Sequence, residues 1–173
     1  MMDDDLITIV AKVFSIPESE VNDNSSPENI ESWDSFNGLI LVDELENHFK
    51  IKFSISESMV DDFAKVSGDF SPIHMDDKYA KSTSFGKRVV HGMLLGSFLS
   101  RVDGMYLPGK HALYFSQCVE FRNPCFIGDT VKVFSKVIDK SESTKILKIE
   151  SKITNQQNEI LLTGIGRVIV RDD

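Results

Sequence analysis

Residues 89–100 decide the fold class and read Val-Val-His-Gly-Met-Leu-Leu-Gly-Ser-Phe-Leu-Ser. The segment enters through His91-Gly92 and places apolar or small residues on nearly every side of a helix. This pattern predicts a fully buried helix, and a sheet wrapped around a helix is the arrangement that buries it on all sides.

The chain after this helix has the composition of strands. Three apolar, β-branched stretches are separated by short polar turns at 139–144 and 155–159, which favours antiparallel pairing. These predicted strands are Val131 to Ile138, Lys145 to Ile153 and Ile160 to Val170. A buried helix followed by closely spaced strands predicts an α+β fold.

The overall composition excludes several classes of protein. The chain has 173 residues, 41% hydrophobic and 27% charged, which is typical of a soluble globular protein. A net charge of −8 argues against nucleic-acid binding. The longest apolar runs, such as Leu39 to Val42, are too short to span a bilayer, and the acidic N-terminus does not resemble a signal peptide.

Cys118 and Cys125 do not have the spacing of metal ligands. We expect both to be reduced core thiols of a cytoplasmic protein, with a disulfide or a reactive thiol as the alternatives.

Residues 1–50 differ from the rest of the chain. They carry twelve acidic residues against two Lys, whereas residues 51–173 carry fifteen acidic against seventeen basic residues. Apolar residues at helical spacing predict two helices in this acidic segment. The first contains Leu6, Val10 and Val13, and the second starts near Asp34 and contains Leu39, Val42, Leu45 and Phe49. The predicted boundary lies near residue 50.

Asp69 and His74 are the first candidates for chemistry. They lie in Ser-Gly-Asp-Phe-Ser-Pro-Ile-His-Met-Asp-Asp-Lys-Tyr-Ala, residues 67–80, separated by a loop that contains Pro72. A loop allows both side chains to converge, and a carboxylate can orient an imidazole for proton transfer at neutral pH. The alternative is that Asp69 caps a turn and His74 is a structural histidine.

Gly92 is the second candidate. A glycine at a helix start permits close backbone approach, and the N–H groups there favour developing negative charge. The alternative is that Gly92 only relieves crowding where the chain enters the helix.

A third segment, residues 107–131, reads Leu-Pro-Gly-Lys-His-Ala-Leu-Tyr-Phe-Ser-Gln-Cys-Val-Glu-Phe-Arg-Asn-Pro-Cys-Phe-Ile-Gly-Asp-Thr-Val. Together with the two segments above, it resembles the MaoC-like (R)-specific enoyl-CoA hydratases. The resemblance runs from about Phe53 to Val170. It implies a hotdog fold, in which a long antiparallel sheet wraps a central helix, and it implies a homodimer.

The resemblance also assigns roles. It implies that Asp69 and His74 activate water and that the Gly92 amide binds the thioester oxygen. Residues expected to bind substrate are Ser100, His91 and Met93. The chain has Ser71 where the family commonly has Asn, and Gly96 where it commonly has Ala; neither change removes a catalytic group.

The implied reaction is reversible hydration of a trans-2-enoyl thioester of CoA or acyl carrier protein to an (R)-3-hydroxyacyl thioester. It requires no cofactor, and we expect no metal site. Two alternatives are a non-catalytic acyl-thioester binding protein and a hotdog thioesterase. The thioesterase is disfavoured because Asp103 is the only acidic residue from His91 to Tyr106. Phe85, Met93, Leu94 and Phe98 are predicted to line the acyl pocket or to belong to the core.

The acidic segment carries a second resemblance. Residues 16–23 read Ile-Pro-Glu-Ser-Glu-Val-Asn-Asp, and residues 26–36 read Ser-Pro-Glu-Asn-Ile-Glu-Ser-Trp-Asp-Ser-Phe. Together these residues are similar to the first half of an acyl carrier protein. The resemblance implies that Ser35 could carry 4′-phosphopantetheine. Phe36 replaces the usual Leu, and the hydratase pattern begins where the carrier's later helices would follow. A modified carrier, an unmodified docking appendage and an inert remnant remain open, so the expected organisation is an incomplete carrier-like segment at 1–50 and a hydratase domain at 51–173.

Overall fold

The computed structural model describes residues 4–26, 28–33, 37–38, 41 and 49–171. The helices are α1 (Asp4–Phe14), α2 (Glu57–Ser67), α3 (Pro72–Met75), α4 (Asp77–Ser82) and α5 (Gly92–Met105), with short 3₁₀ turns at Glu18–Glu20 and Gly109–His111. The strands are β1 (Phe49–Ser54), β2 (Ala112–Phe121), β3 (Thr130–Ser141), β4 (Ile146–Thr154) and β5 (Ile160–Val170). None of the described helices is long and apolar enough to cross a membrane.

The described strands form one antiparallel sheet in the order β1-β3-β4-β5-β2. Alternate side chains of the central strands are fully buried on the sheet face that packs against α5. Phe98 of α5 stacks on Phe53 of β1, with ring centroids 4.2 Å apart. The main buried positions of this face are Val131, Val133, Leu147, Ile149, Ile153, Leu162 and Val168. The predicted α+β fold, an antiparallel sheet around a central helix, is confirmed.

The three strands predicted from the sequence are present, and only one of their boundaries moves by more than one residue. β3 continues through the predicted turn to Ser141, which pairs with Ile146, because a bulge between Val137 and Asp139 restores the pairing with β4. The edge strands β1 and β2 were not predicted as separate elements from composition.

Helix α5 is not buried on every side, so the predicted full burial is wrong for the single chain. Leu94, Leu95, Phe98, Leu99 and Val102 face the sheet and are buried. A second stripe of the helix is exposed because the sheet covers only one side: Met93, Ser97, Ser100 and Gly104.

The two cysteines are free and differ in environment. Cys125 is buried, and burial raises the pKa of its thiol to about 12, which keeps it protonated and unreactive. Cys118 is exposed, so the prediction of a core thiol is wrong for this residue. Cys118 lies on the edge strand β2 and pairs with Ile165 of β5. Gly164 and Gly166, on either side of Ile165, face α5, so the Cys118 side chain lies on the other face of the sheet, outside the core.

The first predicted helix is present as α1, in which Val10, Val13 and Phe14 are buried. Phe14 stacks on Trp33 with centroids 4.6 Å apart, and the buried residues of this segment belong to the same apolar cluster as those of the sheet and α5. In the second predicted helix only Asn37, Gly38 and Leu41 are described, and they are helical; Asp34, Leu39, Val42 and Leu45 lie outside the described residues. The prediction is wrong for Phe49, the first residue of β1, which pairs with Ser135.

Asp103, on the sheet-facing side of α5, is a buried acid that is 2% exposed. Desolvation raises the pKa of its carboxyl from 3.8 to about 7, and a hydrogen bond with Tyr114 opposes this rise. Its Oδ1 has no hydrogen-bond partner within the part of the chain that the structure describes.

This raised pKa predicts a pH-dependent stability. The folded chain retains a proton on Asp103 that the unfolded chain loses near pH 4, so the free energy of unfolding falls as pH rises from about 4 to about 7. At ~1.4 kcal/mol per pKa unit, the contribution is at most ~4 kcal/mol.

We expect Asp103→Asn to remove this fall in the free energy of unfolding and to be more stable than the parent at pH 8. Urea unfolding from pH 5 to 8 measures it, with exposed Asp77→Asn as control; an unchanged pH slope in Asp103→Asn contradicts it.

Candidate active site

Asp69 is placed by the end of α2. Ser56 is the N-cap of this helix, and its hydroxyl accepts a hydrogen bond from the Met59 amide; the C-cap is Gly68, in the left-handed conformation (φ 76°). Gly68 turns the chain so that Asp69 starts a new loop. The Asp69 Oδ1 accepts a hydrogen bond from the Ser71 amide at 3.1 Å, which fixes the carboxylate and leaves Oδ2 for other contacts.

His74 follows on the short helix α3, which Pro72 starts at its first turn. Its Nδ1 lies 2.7 Å from the main-chain oxygen of Val89. A carbonyl oxygen can only accept, so Nδ1 carries the ring proton and Nε2 carries a free lone pair. The imidazole is thereby held in the tautomer that can act as a base through Nε2.

The structure brings Asp69 and His74 together: Asp69 Oδ2 and His74 Nε2 are 4.0 Å apart. A water molecule donating to two acceptors at ~2.8 Å each spans a separation of roughly 4.4 Å, given its bond angle of about 104°. The observed separation therefore suits one shared water better than a direct hydrogen bond. The Asp69 side chain is 51% exposed and that of His74 is 16% exposed, so solvent reaches this position from the carboxylate side.

Arg88 fixes the main chain of the same loop. Its Nε donates to the main-chain oxygen of His74, and its two terminal nitrogens pair with Glu57 at 2.7 Å and Asp61 at 3.0 Å. The Arg88 side chain is only 7% exposed, and a buried guanidinium with several fixed acceptors is a rigid support. α3 is thus attached to α2 through Arg88.

His91 lies directly behind the pair. It is 2% exposed, and its Nε2–H donates to the main-chain oxygen of Asp69 at 2.9 Å. Its ring packs against that of His74 with centroids 4.0 Å apart, and against Phe63 at 5.1 Å on another side. The Nδ1 of His91 has no hydrogen-bond partner among the described residues. These contacts support the Asp69 loop rather than reach toward solvent.

Gly92 is the first residue of α5, and His91 precedes it as the N-cap. The Leu94 amide donates to the His91 carbonyl at 3.0 Å. The N–H groups before it precede the first helical hydrogen bond, so the helix start is a local site of positive potential. A Cβ at Gly92 would lie 2.8 Å from the Phe121 ring, closer than real Cβ contacts. Close approach of Phe121 therefore requires a glycine here.

The other predicted site residues are dispersed. Ser100 lies about two turns beyond Gly92 and is exposed, and Met93 is 57% exposed beside Gly92. Phe85 is 45% exposed, whereas Leu94 and Phe98 belong to the core. Ser35 lies outside the described residues.

The part of the chain that forms the sheet and the central helix matches a known family in sequence. Residues 44–158 match the MaoC-like domain. The chain belongs to the MaoC-like domain family. This confirms the resemblance to MaoC-like hydratases found in the sequence.

Individual MaoC-like relatives extend the comparison. The (R)-specific enoyl-CoA hydratase of Aeromonas caviae is 38% identical over 102 residues, which cover 59% of this chain and 76% of that protein. The mitochondrial 3-hydroxyacyl-[acyl-carrier-protein] dehydratase of Arabidopsis thaliana is 35% identical over 102 residues, which cover 58% of this chain and 60% of that protein. The unliganded R-hydratase PhaJ1 of Pseudomonas aeruginosa has a TM-score of 0.69 and 31% identity, covering 73% of this chain and 81% of that chain. The hotdog fold is thereby confirmed.

Sequence reasoning missed the supporting residues of this MaoC-like site. Arg88, Phe63 and the Val89 carbonyl were not predicted, and His91 was expected to bind substrate. The only local signal was a basic residue just before the apolar helix. The partners of Arg88 on α2 lie 27 and 31 residues earlier in the chain, so no spacing rule reveals them.

Proposed function

We propose that this chain uses Asp69 and His74 to catalyse the reversible hydration of trans-2-enoyl thioesters to (R)-3-hydroxyacyl thioesters. The observation that carries the assignment of residues is the 4.0 Å separation of Asp69 Oδ2 and His74 Nε2 beside the start of α5. The names of the relatives support the reaction, because enoyl-CoA hydratases and 3-hydroxyacyl dehydratases are hydro-lyases working in opposite directions.

The proposed mechanism begins with one water donating to Asp69 Oδ2 and His74 Nε2. The pair removes a proton as the water oxygen attacks C3, which the conjugated carbonyl makes electrophilic. Negative charge moves to the thioester oxygen, where the Gly92 amide at the helix start stabilises it. The proton taken up by the Asp69/His74 pair is then returned to C2, which restores both groups. Dehydration follows the same steps in reverse and requires no cofactor.

The thioester handle is CoA or an acyl carrier protein, since both appear in the names of relatives. A hydrolase is the weaker alternative. Asp103, the acid within α5, is buried and lies eleven residues beyond Gly92, roughly 16 Å along the helix. Release of free thiol from an acyl-CoA would favour the hydrolase, and tight acyl-thioester binding without turnover would favour a binding protein.

We predict that Asp69→Asn and His74→Ala each lower the turnover of crotonyl-CoA by ~10²–10⁴-fold, because each removes one of the groups that activate water. Loss of the enoyl-thioester ultraviolet absorbance measures the rate. Exposed Asp77→Asn serves as the matched control, and we expect it to keep the parental rate. Parental activity in either active-site variant would contradict the assignment.

His91 is proposed as a positioning residue rather than a substrate ligand. We predict that His91→Leu lowers kcat at least tenfold with KM changed less than threefold, because loss of its hydrogen bond releases the Asp69 loop; displacement of about 1 Å can cost ~10²-fold. His91→Gln, which keeps an N–H donor near Nε2, should recover most of kcat. A large rise in KM with unchanged kcat would instead indicate substrate binding.

We further propose a homodimer formed through the edge strand β2 and the exposed stripe of α5. β2 presents large apolar side chains to solvent in the single chain: Leu113, Phe115 and Phe121, each more than half exposed. An exposed apolar edge strand is a template for pairing with a second copy.

The proposed organisation is a hydratase domain at 51–173 and an incomplete carrier-like appendage at 1–50, in a cytoplasmic protein. The free Cys118 and Cys125 suit a reducing compartment. Ser35 is proposed to carry 4′-phosphopantetheine, on the strength of the Asp-Ser-Phe motif.

Co-expression with a phosphopantetheinyl transferase followed by intact-protein mass spectrometry tests this modification. We expect one added phosphopantetheine per chain, lost in Ser35→Ala. An unmodified parent chain, beside a carrier protein modified in the same cells, would leave the appendage as a docking segment or a remnant.

A further inference from the structure

The outer face of the sheet, which is turned away from α5, is strongly basic. Side chains of a strand alternate between the two faces, so the residues between the buried positions point outward. Six described bases lie on the outer face: Lys52, Lys132, Lys136, Lys148, Lys152 and Arg167. Arg122 adds a seventh, because it donates to Thr163 of this face at 3.4 Å. The described acids here are Glu120, Asp139 and Glu150, so seven bases against three acids give a net charge of +4, whereas the whole chain has −8.

Four of these bases form like-charged pairs across neighbouring strands. Lys52 lies directly opposite Lys132, and Lys148 lies directly opposite Arg167. Like charges at opposed positions destabilise a sheet. Asp139 lies opposite Lys148 on its other side, so it offsets only one of the four. An acidic partner on the outer face would reduce the remaining repulsion.

A hollow of about 530 Å³ lies on the outer face. Phe134 and Ile165 give it an apolar part, and its polar side chains are Cys118, Glu120, Lys136, Glu150, Lys152 and Thr163. An apolar centre surrounded by polar side chains is the usual composition of a protein–protein interface. The outer face thus has both the charge and the shape of a docking surface for an acidic protein.

The acidic segment of this chain has the complementary charge. Within it, residues 13–49 carry nine acidic residues and no Lys or Arg. Five of these acids are described and exposed: Glu18, Glu20, Asp23, Glu28 and Glu31. Opposite charges on two surfaces steer their encounter and determine which surfaces pair.

The acidic segment of the same chain contacts the other side of the sheet. Lys140 donates to Oδ1 of Asn37 at 3.0 Å, and Lys140 pairs with Leu147, which is buried on the face against α5. On the outer face, by contrast, Lys152 and Arg167 are exposed. These outer bases are therefore accessible to a second molecule.

We propose that the outer face binds the acidic segment of a second copy of this chain. Two copies related by a twofold axis exchange their segments, so the same contact forms twice in each pair. The contact depends on charge and is therefore weakened by salt. It uses a different surface from the edge-to-edge pairing of β2, so both contacts can exist in one assembly.

Sedimentation equilibrium of the full chain at one protein concentration tests the dependence on charge. Between ~0.01 M and ~1 M NaCl the Debye length falls from ~30 Å to ~3 Å. We expect the mass at low salt to be at least twice that at high salt, because the exchanged contact dissociates while the apolar β2 contact persists. A mass that does not change with salt would overturn the proposal.

Two charge-reversed variants locate the two surfaces. We expect the pair Lys152→Glu and Arg167→Glu to weaken association at low salt roughly tenfold or more, because like charges then oppose each other. The set Glu20→Lys, Glu28→Lys and Glu31→Lys should weaken it for the same reason. A mixture of the two variants should associate, though less tightly than the parent, because the acidic segment of the first can still bind the unaltered outer face of the second.

The matched control is the pair Lys78→Glu and Lys81→Glu, two exposed bases of α4. It changes the net charge by the same amount as the outer-face variant, and it should associate as the parent does. An equal loss in this control, or a mixture that associates no better than its separate components, would overturn the proposal. An outer face that captures a purified acyl carrier protein while the parent does not self-associate would also overturn it.

The Cys118 thiol reports on the outer face directly, because it lines the hollow and Cys125 is buried. At low salt we expect alkylation of Cys118 by iodoacetamide to slow as the protein concentration is raised. In the Lys152→Glu, Arg167→Glu variant the rate should not depend on protein concentration. A parent thiol that reacts equally fast in dilute and in associated protein would contradict docking on this face.

Discussion

The hydrogen bond from the His91 ring to the Asp69 carbonyl joins the two parts of the site. His91 is the residue before α5, and Asp69 begins the loop after α2, so this bond ties the loop to the start of the central helix. The stacking of His91 on His74 adds a second connection. The packing of α5 against the sheet fixes His91, and His91 in turn fixes the Asp69 loop.

The two histidines have opposite tautomers and therefore different capacities. His74 carries its proton on Nδ1 and presents a basic Nε2 toward Asp69, whereas His91 carries its proton on Nε2 and is enclosed. Two main-chain carbonyls determine these tautomers, because a carbonyl oxygen can only accept a hydrogen bond and the ring nitrogen facing it must carry the proton. Backbone geometry thus determines which imidazole can accept a proton from water and which one supports the loop.

Most of the fold was predictable because it follows from periodicity. The apolar pattern of 89–100 and the β-branched stretches after Val131 define α5, β3, β4 and β5. Asp69 and His74 were predictable as a pair because they lie only five positions apart in the sequence. The supporting roles of His91 and Arg88 were not predictable, because their hydrogen-bond partners lie 14 to 31 residues away in the sequence. The exposure of Cys118 and of one side of α5 escaped prediction because it depends on the strand order.

The most direct test of the central claim is the protonation state of the two rings. Long-range ¹H–¹⁵N correlation spectra of protein labelled at histidine, assigned with His74→Ala and His91→Gln variants, identify which nitrogen of each ring carries hydrogen. We predict Nδ1–H for His74 and Nε2–H for His91 in the neutral protein. A His74 ring protonated at Nε2 would leave no lone pair facing Asp69 and would contradict this account of water activation.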